Sequence, residues 1–239
     1  MEKSLYALNG PIVRANQSAP KLTLADQTYE RLRRDIVDGH FAPGSRLHLT
    51  TICRRYGVGM SPVREALSRL SSEGFAVALS QRGFRVSPLN LEDLKDLTLA
   101  RERLEAEALR LAINNADEAW RQRVVASFGR LSRLDRALAE RAAEIVDQWE
   151  IANGEFHRAL VSTCPSQWML RMRELLYGQS QRYRRFAVVR SANIRRAHEE
   201  HQAIMEAAFE GNAERACDLI RAHVITTSQT VIEVLSADA

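Results

Sequence analysis

Residues 61–74 read SPVREALSRLSSEG. Val63, Ala66, Leu67 and Leu70 recur at the three- and four-residue spacing of one helical face, which predicts a helix with a buried stripe. Ser61 is expected as its N-cap and Pro62 at its first position, where a missing N–H costs nothing; Gly74 is expected to end it. Upstream, Gly57 separates this helix from a short one over Thr50–Tyr56, and the Pro43-Gly44 turn of FAPGSRL separates that from an amphipathic run, Thr28–Val37, with Tyr29, Leu32 and Ile36 on one side. Downstream, FAVALS and FRVS are strand-like and flank Gln81-Arg82-Gly83, the pattern of a hairpin. Helix, short helix, tight turn, helix and hairpin make a winged helix-turn-helix, whose third helix fits a DNA major groove.

The rest of the 239-residue chain has a different composition. Residues 1–88 hold 13 Lys+Arg against 7 Asp+Glu, seven of the 11 Gly and five of the 6 Pro. Residues 89–239 carry a slight acidic excess and only Gly129, Gly154, Gly178, Gly211 and Pro165 as helix breakers, so long helices are expected there. Apolar periodicity places six, near 91–114, 117–139, 142–163, 166–189, 193–210 and 213–235. The reading is mainly α: a flexible arm over 1–23, the winged helix-turn-helix over 24–88, and a six-helix antiparallel bundle over 89–239 that binds an effector and dimerises. No stretch approaches the length of a membrane span, and the N-terminus lacks a secretory signal, so a cytoplasmic protein is expected. Three cysteines without C-x-x-C spacing indicate neither a disulfide framework nor a thiolate zinc site.

A small basic module joined to a near-neutral one points to a polyanion as partner, here double-stranded DNA. Arg64, near the start of the third helix, can reach a guanine edge or a phosphate; Arg82, with Gly83 at the hairpin tip, can reach the backbone or minor groove. The plainer alternatives are a salt bridge for Arg64 and a solvated turn for Arg82. Arg34, Thr50, Ser61 and Pro62 complete the candidate contact set. One short helix reads few bases, so a homodimer on a pseudo-palindromic operator is expected.

In the helical part, His157, His201 and His223 fall on three different helices among apolar positions, and Asn153 precedes His157 by one turn. Three inward imidazoles with an amide oxygen suit a borderline divalent ion, Zn or Ni, although on spacing alone a hydrogen-bonded core cluster is the commoner explanation.

The runs FAPGSRL, SPVREALSRLSSEGF and SQRGFRVS resemble the DNA-binding domain of the GntR family of bacterial regulators, in its FadR-like branch. Where that family commonly has Ser-Arg before the third helix, this chain has Gly59-Met60, so a typical operator cannot be transferred to it. The runs RERLEAEALRLA, ANGEFHRALV and HEEHQAIMEAAFEGNAERACDLIRAH resemble the branch's all-helical effector domain, in its vanillate-regulator-like subgroup. The resemblance implies a transcription regulator, usually a repressor, whose metal ligands match Asn153, His157, His201 and His223, with Asn153 standing where aspartate is commoner. It also implies that Arg101 lies near a small carboxylate-bearing metabolite; Arg101 can otherwise pair with Glu105. Arg182, Tyr183 and Arg184 are further candidates, of which Tyr183 and Arg184 are favoured for the effector pocket. His198 is expected at the surface. The competing functional class is a metal-dependent hydrolase with an appended interaction module, for which no acid stands beside the histidines as general base.

Overall fold

The computed structural model describes residues 22–80, 83–188 and 197–237. The arm before residue 22, Arg82 at the hairpin tip, and the junction of the fourth and fifth expected bundle helices lie outside the described residues. Helix α1 (Leu24–Val37) starts at a capping box, in which the Thr23 hydroxyl accepts from the Asp26 N–H and the Asp26 carboxylate accepts from the Thr23 N–H. After β1 (Arg46–Leu47), α2 (Leu49–Tyr56) ends at Gly57, whose φ of 67° is left-handed backbone that suits glycine. Helix α3 (Met60–Ser72) begins two residues earlier than expected. Its N-cap is Gly59, so Ser61 is not the cap and Pro62 is the third helical residue; that is still the first turn, where N–H groups have no intrahelical acceptor.

Strands β2 (Ala76–Leu79) and β3 (Gly83–Val86) form the wing, and β1 adds to its other edge in the order β1-β3-β2, all antiparallel. Leu32, Ile52, Leu67, Leu70 and Phe75 are fully buried in a core confined to this module apart from the partly buried Leu175. Each such side chain contributes about 1.5–3 kcal/mol of burial, so the module carries its own stabilising core.

The bundle consists of α4 (Leu91–Asn114), α5 (Glu118–Leu160), α6 (Gln167–Val188), α7 (Ala197–Phe209) and α8 (Ala213–Ala237). Two expected helices are one interrupted element: α5 leaves helical geometry at Arg141 (φ −135°, ψ 32°). Its halves run antiparallel, because Trp149 donates to Asp135 (2.8 Å), Arg130 pairs with Glu155 (2.9 Å), and Trp120 donates to the Leu160 carbonyl (3.1 Å) at growing sequence separation. The six-segment antiparallel bundle is therefore present with a kink in place of a loop. All three cysteines are unpaired, two of them buried.

Candidate metal and anion site

The exposed side of α3 presents Ser61 and Arg64, and Arg64 has no ion-pair partner among the described residues. Thr50 is exposed on α2, and Gly83 opens β3 at φ 89°. Arg34 sits elsewhere: it lines a cleft of about 500 Å³ between α1 and the helical domain, together with Asp147, Glu150 and Tyr177.

His157 from the second half of α5, His201 from α7 and His223 from α8 converge, with one nitrogen of each lying within 4.8 Å of the others. All three are buried. His201 Nδ1 meets Asp135 Oδ2 at 3.1 Å and His223 Nδ1 meets Glu200 Oε2 at 2.8 Å. A carboxylate on Nδ1 holds the proton there and turns Nε2 into the ligand atom, the arrangement that orients metal-binding imidazoles. His201 Nε2, both nitrogens of His157 and Asn153 Oδ1 are buried without hydrogen-bond partners among the described residues. Burial, then the neighbouring His223 and His201, hold the His157 pKa well below its usual value, so its imidazole is neutral, as coordination requires. Leaving such buried groups unsatisfied costs about 1–3 kcal/mol each, and a cation would satisfy the acceptors among them: His201 Nε2, Asn153 Oδ1 and the one unprotonated nitrogen of His157. The donor set therefore fits a divalent ion. The Asn153 amide donates from Nδ2 to the Tyr177 hydroxyl at 2.9 Å, which leaves Oδ1 for such an ion. His198 is half-buried rather than fully at the surface, stacked on Phe128 at 5.7 Å.

Beside the histidines lies a second polar layer. Arg101, Arg173 and Arg184 are buried around the ring of Tyr177, at 4.9, 5.4 and 5.1 Å from its centroid. Arg184 is saturated by a bidentate pair with Glu150 (2.9 and 2.6 Å). Arg101 donates to Ser180 (2.9 Å) and reaches Glu105 only at 3.4 Å, so the pairing open to it from sequence exists but is loose. Burial pulls the Arg101 pKa down and Glu105 opposes this.

Tyr183 occupies another side of α6. Its hydroxyl accepts from the Asn90 N–H (3.2 Å) and donates to Asp93, and its ring packs with Leu94, Leu97 and Val231, so it pins the start of α4. At 100° per residue, the α6 stripe facing the histidine and arginine cluster is Arg173, Tyr177, Ser180 and Arg184, and residue 183 falls off it. The opposite face of α6 docks the winged module. Gln179 donates to the Glu73 carbonyl (2.6 Å), Arg182 to the Ser87 carbonyl, and Arg185 pairs with Asp38 (3.5 Å) and Asp147. Arg33 of α1 lies over Phe75 (4.9 Å) with its guanidinium against Gly178, where any Cβ would overlap it.

A winged helix-turn-helix docked on a helical domain with buried histidine and arginine clusters is the architecture of a DNA-binding regulator. Residues 24–86 match the model described as bacterial regulatory proteins, gntR family, and residues 96–226 match the FCD domain; the chain belongs to this family, with an FCD domain at its C-terminal side. It is 42% identical over 209 residues to the uncharacterized HTH-type transcriptional regulator BphR of Paraburkholderia xenovorans, covering 87% of this chain and 85% of that one. It is 31% identical over 214 residues to the HTH-type transcriptional repressor GlaR of Escherichia coli, covering 88% and 96%. The solved structure of E. coli McbR/YncC shares the fold at a TM-score of 0.74 and 19% identity, covering 91% of this chain and 99% of that one. The family and these relatives are transcription regulators rather than enzymes, so the hydrolase alternative is not supported. No helix among the described residues is long and apolar enough to cross a membrane.

Asp135, Glu200, Tyr177 and Arg173 escaped the sequence reading. Glu200 lies within the HEEH run, and Tyr177 and Arg173 lie three and seven residues before Ser180, about two and three turns before Arg184; that spacing is a signal for them. Asp135 has none, because it meets His201 across 66 residues.

Proposed function

We propose that the chain is a cytoplasmic, homodimeric repressor of the GntR family whose affinity for a pseudo-palindromic operator is set by a small organic acid in the FCD chamber, bound through a divalent metal. The observation that carries this reading is the convergence of unpartnered buried acceptors on His157, His201 and Asn153 beside buried guanidiniums with unpartnered nitrogens. Acceptors call for a cation and guanidiniums for an anion, and a metal-held carboxylate answers both. Asn153, His157, His201 and His223 would hold the ion, Zn or Ni, which would supply a Lewis-acidic seat for the carboxylate. Arg101 orients that carboxylate, and Asp135 and Glu200 fix the imidazoles. Repression is supported by the relative GlaR, described as a repressor.

DNA reading falls to α3 and the wing. With Gly59 as the N-cap of α3 and Met60 as its first residue, Arg64 is the exposed arginine nearest its start, and Arg82, between β2 and β3 in the sequence, extends the set. Arg64→Ala is expected to weaken binding to a fragment selected by this protein from random-sequence DNA by about 1–3 kcal/mol. Arg82→Ala is expected to weaken selected and scrambled DNA alike and to flatten the salt dependence. Fluorescence anisotropy across a salt series measures both; unchanged affinity in both variants contradicts the assignment.

A further inference from the structure

The alternation of β1 and β3 puts two arginines side by side on the outside of the wing. Leu47 is buried and Arg46 exposed on β1, as Val86 is buried and Arg85 exposed on β3, so both arginines stand on the face turned away from the module's core. The register pairs Arg46 directly with Arg85. The Val86 N–H donates to the Ser45 carbonyl at 2.9 Å, so the next pair, Arg46 with Arg85, is a non-hydrogen-bonded one, where antiparallel side chains approach most closely. Val77 on β2 flanks Arg85 on its other side and brings no charge. Among the described residues neither guanidinium has an ion pair, a hydrogen bond or an aromatic ring beneath it. Like charges directly opposite on neighbouring strands destabilise a sheet, and no acid among the described residues lies within ion-pairing reach to offset them. The pair also has a defined place in the module. Arg85 follows Gly83, the first residue of β3, by about 7 Å of strand. Leu49, which opens α2 shortly after Arg46, lies 3.9 Å from where a Gly83 Cβ would stand. The arginines therefore sit one step behind the hairpin end of the wing, beside the exposed Thr50 at the start of α2.

We infer that Arg46 and Arg85 together grip one backbone phosphate of double-stranded DNA that lies outside the element read by α3, and so lengthen the protein's footprint. The inference rests on the winged module being the part that binds DNA, and it adds a contact that neither the recognition helix nor the hairpin tip makes. A phosphodiester offers two unesterified oxygens and one negative charge, and two adjacent planar guanidinium forks can each donate to one of those oxygens. The anion then stands between charges that otherwise repel, so DNA binding relieves the cost that the pair imposes on the free sheet. Such a contact carries no base information. It fixes the register of the module on the duplex and adds a salt-dependent increment of affinity.

The test uses the full chain and a DNA fragment that the parent selects from random sequence, in two lengths: cut back to the base pairs that selection fixes, and extended by about one helical turn on each side. Fluorescence anisotropy across a salt series reads the dissociation constants. On the extended fragment, Arg46→Gln/Arg85→Gln is expected to bind about 10-fold more weakly than the parent and to lower the salt slope by about one for each winged module bound. On the trimmed fragment the two proteins are expected to bind alike, because the gripped phosphate is gone. Arg85→Glu sets an acid opposite Arg46 and is expected to raise the melting temperature while weakening the extended complex at least as much. An equal loss on both lengths would reduce the pair to general attraction, and an unchanged affinity of the double variant would remove it from the interface. A lower melting temperature of Arg85→Glu with the parent's DNA affinity would make the pair structural. Each of these results overturns the inference. Inorganic phosphate at constant ionic strength separates a DNA phosphate from a small-anion site: the parent's preference for the extended fragment should persist, and its loss would assign the arginines to free phosphate instead. A parent that binds neither fragment refutes the DNA-binding role of the winged module, whereas a parent that binds both, with variants indifferent to length, refutes this inference alone.

Discussion

His201→Ala is expected to lower divalent-metal affinity by at least about 100-fold, because it removes a ligand whose orientation is fixed by Asp135, and loss of an orienting partner alone typically costs about 10–100-fold. Asp135→Asn is accordingly expected to fall within that smaller range. DNA binding itself should persist in both, since the winged module is packed around its own core. Asn153→Asp supplies the complementary arm. Beside a metal, the new carboxylate gains a charged bond and should slow metal loss; without one, it is a buried charge among unpartnered imidazoles and should lower the melting temperature. Metal content by mass spectrometry and melting temperature, each with and without chelator, distinguish the outcomes. Stable metal retention by His201→Ala, or a chelator-indifferent parent with a destabilised Asn153→Asp, would reduce the histidines to a core cluster.

Gly178→Leu is expected to uncouple the two domains while leaving both able to bind. A side chain there meets the Arg33 guanidinium and the Phe75 ring, the two side chains that seat the winged module on this turn of α6. The Gln179 and Arg182 clasps on the Glu73 and Ser87 carbonyls depend on that seating. Since the opposite face of α6 carries Arg173, Tyr177, Ser180 and Arg184, α6 touches both the histidine and arginine cluster and the ends of α3 and the wing. Coupling between sites is typically worth about 5–150-fold in affinity. The ratio of DNA dissociation constants with and without bound metal should fall toward one in Gly178→Leu, with metal content unchanged; a ratio equal to the parent's would show that the signal takes another route.

Much of the architecture was written in local patterns. The Val63, Ala66, Leu67 and Leu70 stripe and the stop at Gly74 identify α3 because helix periodicity and a left-handed glycine are short-range properties. Its start was misplaced since Ser61-Pro62 is as compatible with the interior of the first turn as with its boundary. The Arg141 break was read as a loop between two helices because a reversal leaves an amphipathic gap whether it spans one residue or five; neither Gly nor Pro marks it. The histidines were legible by chemical type. Their supports were not: Asp135 to His201 and Glu105 to Arg173 are pairings across 66 and 68 residues, fixed only once the antiparallel packing is known. Tyr183 illustrates the finer limit, since one residue on a helix turns a side chain by about 100°, enough to exchange the chamber for the start of α4.

The central claim is that occupancy of the histidine chamber governs the DNA affinity of the winged module. Its most direct test is a titration of the full-length parent and His201→Ala into a DNA fragment selected by the parent, at fixed salt, in zinc-loaded and chelated protein. The account predicts that the parent's dissociation constant shifts between the two forms by about 5–150-fold, while His201→Ala gives one value in both and still prefers the selected fragment to a scrambled one. Identical isotherms for the parent with and without metal would contradict it.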